Sequence, residues 1–206
     1  MKRQSLLMGL VLAPALGFAD GFDYTYVDAG IVNSELDAGP LDVDGDGLSF
    51  SGSFALNDQL FLVGGYSDQE YDFDLGLGLG LSFDTSMLNV GVGFHTSLSQ
   101  NLDFVADLSY VDAEVYTPFG TLDESGYGIG AGIRTRAGDS FEIDAGLRYL
   151  DLSGSDTELG LGVRYYFSDS FAMRGGVADN DGGLGWNVGV RWDFGGSSDR
   201  RTAAAR

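Results

Sequence analysis

From Leu48 onward apolar residues recur at every second position, the period of strands whose two faces meet different surroundings. Leu48, Phe50, Phe54 and Leu56 share one parity, and Ser49, Ser51 and Ser53 hold the other. Leu88, Val90, Val92 and Phe94 alternate with Asn89, Gly91, Gly93 and His95 in the same way. The pattern returns at 102–110, 127–134, 141–149, 159–167, 171–177 and 184–194. Two less cleanly phased apolar stretches, near 22–32 and 60–71, bring the predicted strands to ten, with eight as the alternative count. Short polar turns fall at 57–59, 97–101, 138–140 and 168–170. Longer connections fall between them, at 33–47, 72–84, 116–124, 152–156 and 180–183. Short turns on one rim and longer loops on the other are the asymmetry of an antiparallel transmembrane β-barrel. An even strand number brings both ends of the barrel to the short-turn, periplasmic rim.

Composition narrows the classes further. There are 33 glycines in 206 residues, about twice the usual share and without a collagen period. Aromatic residues at 13% rule out a disordered chain. The absence of cysteine removes disulfides, zinc–cysteine sites and thiol catalysis together. A single histidine, His95, leaves little room for metal or triad chemistry. The net charge of −20 excludes a nucleic-acid partner, which requires a basic face. Residues 1–19 read as an export signal, with Lys2 and Arg3 ahead of an apolar stretch and Gly17-Phe18-Ala19 as the cleavage site. The mature chain then begins at Asp20 and contains no lysine. The barrel occupies 20–194, and 195–206 form an expected disordered tail. No other stretch has the ~20 apolar residues of a spanning helix.

Three features separate a lipid-facing barrel from a secreted soluble β-sandwich that binds a ligand. Arg134, Arg136, Arg148, Arg164, Arg174 and Arg191 all fall at the parity opposite the apolar face, as they must if that face meets hydrocarbon, where an arginine costs ~2–4 kcal/mol. A sandwich satisfies this parity as well. The aromatics, however, are sorted by kind. Phe94, Phe104, Phe141, Phe167, Phe171 and Phe194 lie beside the short turns, whereas Tyr66, Tyr110, Tyr127 and Tyr149 lie toward the long loops. Two such girdles mark the two interfaces of a membrane. Finally, Asn187-x-Gly189-x-x-Trp192-x-Phe194 closes the last strand. With this motif the chain resembles the small bacterial outer-membrane β-barrels of the OmpA/OmpX type. The resemblance implies a porin-like barrel in the Gram-negative outer membrane, surrounded by lipid and lipopolysaccharide. It also implies that Trp192 and Phe194 are read by the barrel-assembly machinery.

The inward parity carries the chemistry. Arg134, Arg148, Arg164, Arg174 and Arg191 share it with Asp103, Asp107, Glu142, Asp144 and Glu158. Two arrangements are open: a plug of ion pairs that fills the bore, or a narrow arginine-lined pore. Catalysis is disfavoured, because His95 sits inward at the periplasmic end with no nucleophile in view. Asp42-x-Asp44-x-Asp46-Gly47 resembles the opening of a calcium loop, but position twelve is Ser53, so an EF-hand is excluded. The choice there is a Ca2+ or Mg2+ site or a solvated acidic loop, and no other cofactor is indicated. Acids also crowd the other connections, including Asp68, Glu70, Asp72, Asp112, Glu114 and Asp123. The Leu/Gly run at 75–81 fits no nucleotide-binding pattern, since no helix follows it. The preferred function is a non-enzymatic surface, envelope-integrity or adhesion-type role exercised by acidic loops. A small-solute channel is the alternative. No ligand or receptor is legible.

Overall fold

A computed structural model of the chain describes residues 22–37, 42–74, 80–180 and 183–195. The leader at 1–19, residues 75–79 of the Leu/Gly run and the tail after 195 lie outside the described residues. The strands are β1 (Tyr26–Asp37), β2 (Asp42–Ala55), β3 (Leu60–Asp74), β4 (Gly80–Ser99) and β5 (Leu102–Thr117). They continue as β6 (Gly120–Ala137), β7 (Phe141–Asp151), β8 (Ser155–Tyr166), β9 (Phe171–Asn180) and β10 (Gly183–Asp193). Each pairs antiparallel with its neighbours in sequence, and β1 pairs with β10 from Tyr26↔Asp193 to Ser34↔Gly185. The sheet is therefore a closed barrel of ten strands. Closure excludes both the eight-strand count and the β-sandwich, since no second sheet covers the apolar face.

The alternation sets which face is which. Leu108, Ile129, Leu147, Leu161, Val163 and Val190 point outward and are about half exposed, whereas their neighbours Asp107, Arg148 and Arg164 are buried in the bore. A soluble protein would hide such a belt, so an apolar band around a polar interior is a surface made for lipid. The two girdles stand where the aromatic sorting puts them. Phe94, Phe141, Phe167, Phe171 and Phe194 ring the periplasmic end, and Tyr66, Tyr110, Tyr127 and Tyr149 ring the opposite one, all outward. Around the seam the lower girdle is a continuous ladder: Phe167 to Phe171 at 6.4 Å, Phe171 to Trp192 at 6.1 Å and Trp192 to Phe194 at 5.3 Å.

Two expectations require correction. The connections placed at 33–47, 72–84 and 116–124 are mostly strand. β2 to β6 run 14 to 20 residues against 10 to 12 in β7 to β10, so half of the barrel wall rises above the tyrosine girdle. There the outer face meets water and carries carboxylates, while Val43, Tyr71, Phe83, Met87 and Val111 are buried on the inner face, so the outward apolar period that marks a lipid-facing strand is lost. The second correction is at the amino end. The predicted strand at 22–32 begins at Tyr26, and Phe22, Asp23 and Tyr24 are buried inside the barrel instead.

The outward assignment of Val163 is directly testable. Val163→Arg should reduce insertion into lipid vesicles by the equivalent of ~2–4 kcal/mol, and Val163→Leu should leave it unchanged. Equal insertion of the two variants, read by heat-modifiable gel mobility, would place that side chain away from lipid.

Candidate functional site

The bore contains all six basic residues found among the described residues, and every one of them is drawn to a carboxylate. Glu142 on β7 is the hub. Arg134 of β6 pairs with its Oε2, Arg136 lies 3.6 Å from its Oε1, Arg164 of β8 reaches within 4.0 Å, and Tyr166 Oη donates to it at 3.2 Å. Arg164 Nη1 also meets Asp144 Oδ1 at 2.7 Å. Three cations around one buried carboxylate are tolerable only because Asp144 takes a share of the charge.

Two arginines reach past a strand to find their partners, and for Arg148 glycine makes room. Arg148 of β7 crosses β6 to meet Asp107 Oδ2 at 3.4 Å and Ser109 Oγ at 2.6 Å, both on β5. β6 faces inward there with Gly128 and Gly130. A Cβ on Gly128 would stand 2.9 Å from Arg148 Nη2, and one on Gly130 would collide with the Asp107 carboxylate. Arg174 of β9 similarly crosses β10, where Gly189 is its register partner, to reach Asp28 Oδ2 of β1 at 3.2 Å. Its Nη2 donates to Asn187 Oδ1 at 3.0 Å. Asp144 lies over Gly162, whose Cβ would come within 2.5 Å of Oδ2. The excess of glycine thus has a use: flat stretches of inner wall on which long charged side chains lie across the strands.

The lower end of the lattice is tied to the amino end. Arg191 is fully buried, donates from Nε to Asp193 Oδ1 at 2.6 Å and from Nη2 to the Asp23 carbonyl at 3.1 Å, and lies 3.4 Å over the Tyr26 ring. Beneath it an apolar cluster of Phe22, Tyr24, Phe61 and Val105 fills the periplasmic mouth. At the other mouth Met87, Val111 and Ala113 pack with Leu150 and Leu152.

No family model matches the sequence, and no curated protein sequence matches it. Similarity appears in three dimensions. The NanC porin structure superposes with a TM-score of 0.51 at 9% identity, covering 82% of this chain and 100% of the porin. The translocator domain of the autotransporter NalP from Neisseria meningitidis also gives 0.51, at 13% identity, covering 85% of this chain and 91% of the domain. Ail, the attachment invasion locus protein of Yersinia pestis, scores 0.44 at 15% identity over 82% of this chain and 97% of its own. The chain has the outer-membrane β-barrel fold.

Within that barrel each residue singled out from sequence has a definite place. Arg134, Arg148, Arg164, Arg174, Arg191, Glu142, Asp144 and Glu158 are all inward and buried, as are Asp103 and Asp107. Glu158 stands opposite Arg148 in the register, yet Arg148 turns the other way, and among the described residues Glu158 enters no ion pair. Two partners of the lattice escape the sequence reading. Asp28 lies in the less cleanly phased first strand, and Asp193 lies between the two aromatics of the closing motif. The motif itself is divided: Asn187 holds Arg174, Gly189 packs so closely on β1 that a Cβ would collide with the Ala29 carbonyl, and Trp192 and Phe194 face outward. His95 is buried below the rim with its ring 3.7 Å from that of Tyr24. Asp44 and Asp46 project outward from strand β2, about 6–7 Å apart along it, rather than curling in a loop, and Asn33 Nδ2 donates to Asp46 at 3.0 Å. Asp42 opens the same strand. Among the described residues no three acidic or histidine side chains converge as a metal-ligand set.

The glycine wall gives a matched pair of substitutions. Gly162→Ala should cost ~1–3 kcal/mol, because Asp144 has to leave Arg164. Gly160→Ala, also inward and one pleat away, meets nothing nearer than 4.0 Å and should be neutral. Urea unfolding in detergent micelles measures both, and equal midpoints would contradict the packing described.

Proposed function

We propose that this is a non-enzymatic outer-membrane barrel whose bore is sealed and whose working surface is the tall acidic wall on its extracellular side. One observation carries the reading: every arginine in the bore is engaged with a carboxylate, and an apolar cluster fills the periplasmic mouth. The fold alone does not choose, since the NanC porin shares it. A conducting lumen keeps its charges hydrated; a paired lumen keeps ions out, because separating a buried pair leaves an uncompensated charge.

The outer face of the wall is where a partner is met. Asp44, Asp46, Asp68, Glu70, Asp72 and Asp84 face outward from β2, β3 and β4, with Asp112 and Glu114 on β5 and Asp123 on β6. Among the described residues no basic side chain stands among them. Tyrosines of the upper girdle bind the lowest carboxylates: Tyr66 Oη donates to Asp68 at 3.2 Å, Tyr110 to Asp112 at 3.1 Å and Tyr127 to Asp151 at 3.0 Å. These bonds set the height at which the acidic face begins, just above the lipid interface. In this reading Mg2+ or Ca2+ couples the face to lipopolysaccharide phosphates, which it would otherwise repel. Envelope integrity or adhesion are the roles such a surface serves. During biogenesis the outward Trp192 and Phe194 present the closing strand to the assembly machinery.

Planar-bilayer recording tests the seal. Wild type and Arg148→Ala should both be silent, and steady wild-type openings that Arg148→Ala enlarges would promote the small-solute channel instead. Assembly has its own test. Phe194→Ala should lower the yield of heat-modifiable barrel in cells several-fold, whereas removal of 196–206 should not; the reverse outcome would move the assembly signal into the tail.

A further inference from the structure

Phe22, Asp23 and Tyr24 form a strap across the bore. They precede β1, yet the Phe22 ring lies 4.8 Å from the Arg134 guanidinium and 4.3 Å from that of Arg136, both on β6. In a ring of ten strands β6 is five places from β1 in either direction, so the strap spans the full width of the lumen. On the way Tyr24 stacks on His95 of β4 at 3.7 Å and packs 5.1 Å from Phe61 of β3, with Val105 of β5 in the same cluster. Strands from half of the circumference therefore converge on two aromatic rings.

The anchoring changes in kind along the strap. At its carboxyl end the strap is bound to the wall by backbone: Phe194 N donates to the Thr25 carbonyl at 2.9 Å, and Ala55 N donates to Thr25 Oγ1 at 3.3 Å. Asp23 Oδ1 accepts from Thr25 N at 2.9 Å and turns the chain inward. Beyond that turn the rings of Phe22 and Tyr24 pack across the bore, and Arg191 Nη2 donates to the Asp23 carbonyl. The strap lies outside every strand, so its displacement breaks no ladder of the barrel.

We propose that residues 22–24 are the periplasmic gate of this barrel, and that the sealed state is conditional on the strap. This rests on the sealed-bore reading above. The strap closes the mouth directly. It also holds the lowest arginines inside, since Phe22 underlies Arg134 and Arg136 while Asp23 binds Arg191. With the strap gone, these long side chains gain periplasmic water and the lower tier of the lattice opens. The apolar cluster at the far mouth lines only β4, β5 and the end of β7, so it does not bar the bore alone.

The chain lacks native cysteine, which allows a single reporter. Val105→Cys, fully buried behind the strap, should react slowly with a membrane-impermeant maleimide in otherwise wild-type protein. In combination with Phe22→Gly and Tyr24→Gly, which keep the backbone and the Thr25 bonds, labelling should accelerate at least tenfold. The Phe22→Gly/Tyr24→Gly protein without the reporter should show steady openings in planar bilayers where wild type is silent. Phe22→Ala alone gives an intermediate labelling rate and guards against misfolding of the double variant, with heat-modifiable mobility confirming the barrel in each. Silence and unchanged labelling in both variants overturn the gate while leaving the sealed bore intact. Openings without faster labelling of position 105 overturn it too, because the path then lies elsewhere. Openings in wild type overturn both readings.

Discussion

An arginine facing hydrocarbon costs ~2–4 kcal/mol, and the rest of the barrel follows from avoiding that cost. Six arginines on five strands turn inward. Once inside a narrow closed sheet, they cannot stay bare, because a buried unpaired charge is expensive. The result is a lattice of carboxylates among them, with Glu142 shared by Arg134, Arg136 and Arg164 and Asp28 reaching Arg174 from across the seam. Any substitution that removes one member leaves another stranded.

The lattice needs a wall that permits it. An arginine is longer than the distance between neighbouring strands, so its best partner is often two strands away. Crossing the strand between requires that strand to be flat. Gly128 and Gly130 under Arg148 supply the clearance. Glycine weakens a strand by its entropy and its missing side chain, yet here the closed ladder of backbone bonds carries the sheet while the side chains stabilise the interior. The same economy seats Phe61 over Gly93 and Tyr71 over Gly45, where a Cβ would run into the rings.

Inside and outside thereby divide their chemistry. All the basic residues of the described barrel are consumed in the bore, so the charge displayed outward is carboxylate alone. The tall side of the wall, β2 to β6, is where this display is largest. An acidic surface and a neutralised interior are two sides of one allocation, and they support a protein that acts by contact and keeps its lumen shut.

The sequence by itself determined the strand number, the facing of residues at membrane depth and the closing motif. Period-two alternation is a local property, imposed wherever one face meets lipid and the other does not, so Val163 and Arg164 declare their sides without any knowledge of neighbours. It also determined most of the charges that meet in the lumen, Asp28 and Asp193 excepted, because parity is enough to put them there. Tertiary structure decided who pairs with whom. Arg148 faces Glu158 by register but bonds Asp107, a choice made by the clearance over two glycines on a third strand. Strand length above the membrane was decided there as well, since the outer face meets water instead of lipid and the outward apolar period that makes a strand legible is lost. The strap is the clearest case. Phe22 and Tyr24 read as the start of the first strand, and only closure of the barrel, which creates an apolar-lined mouth five strands across, gives those rings somewhere better to go.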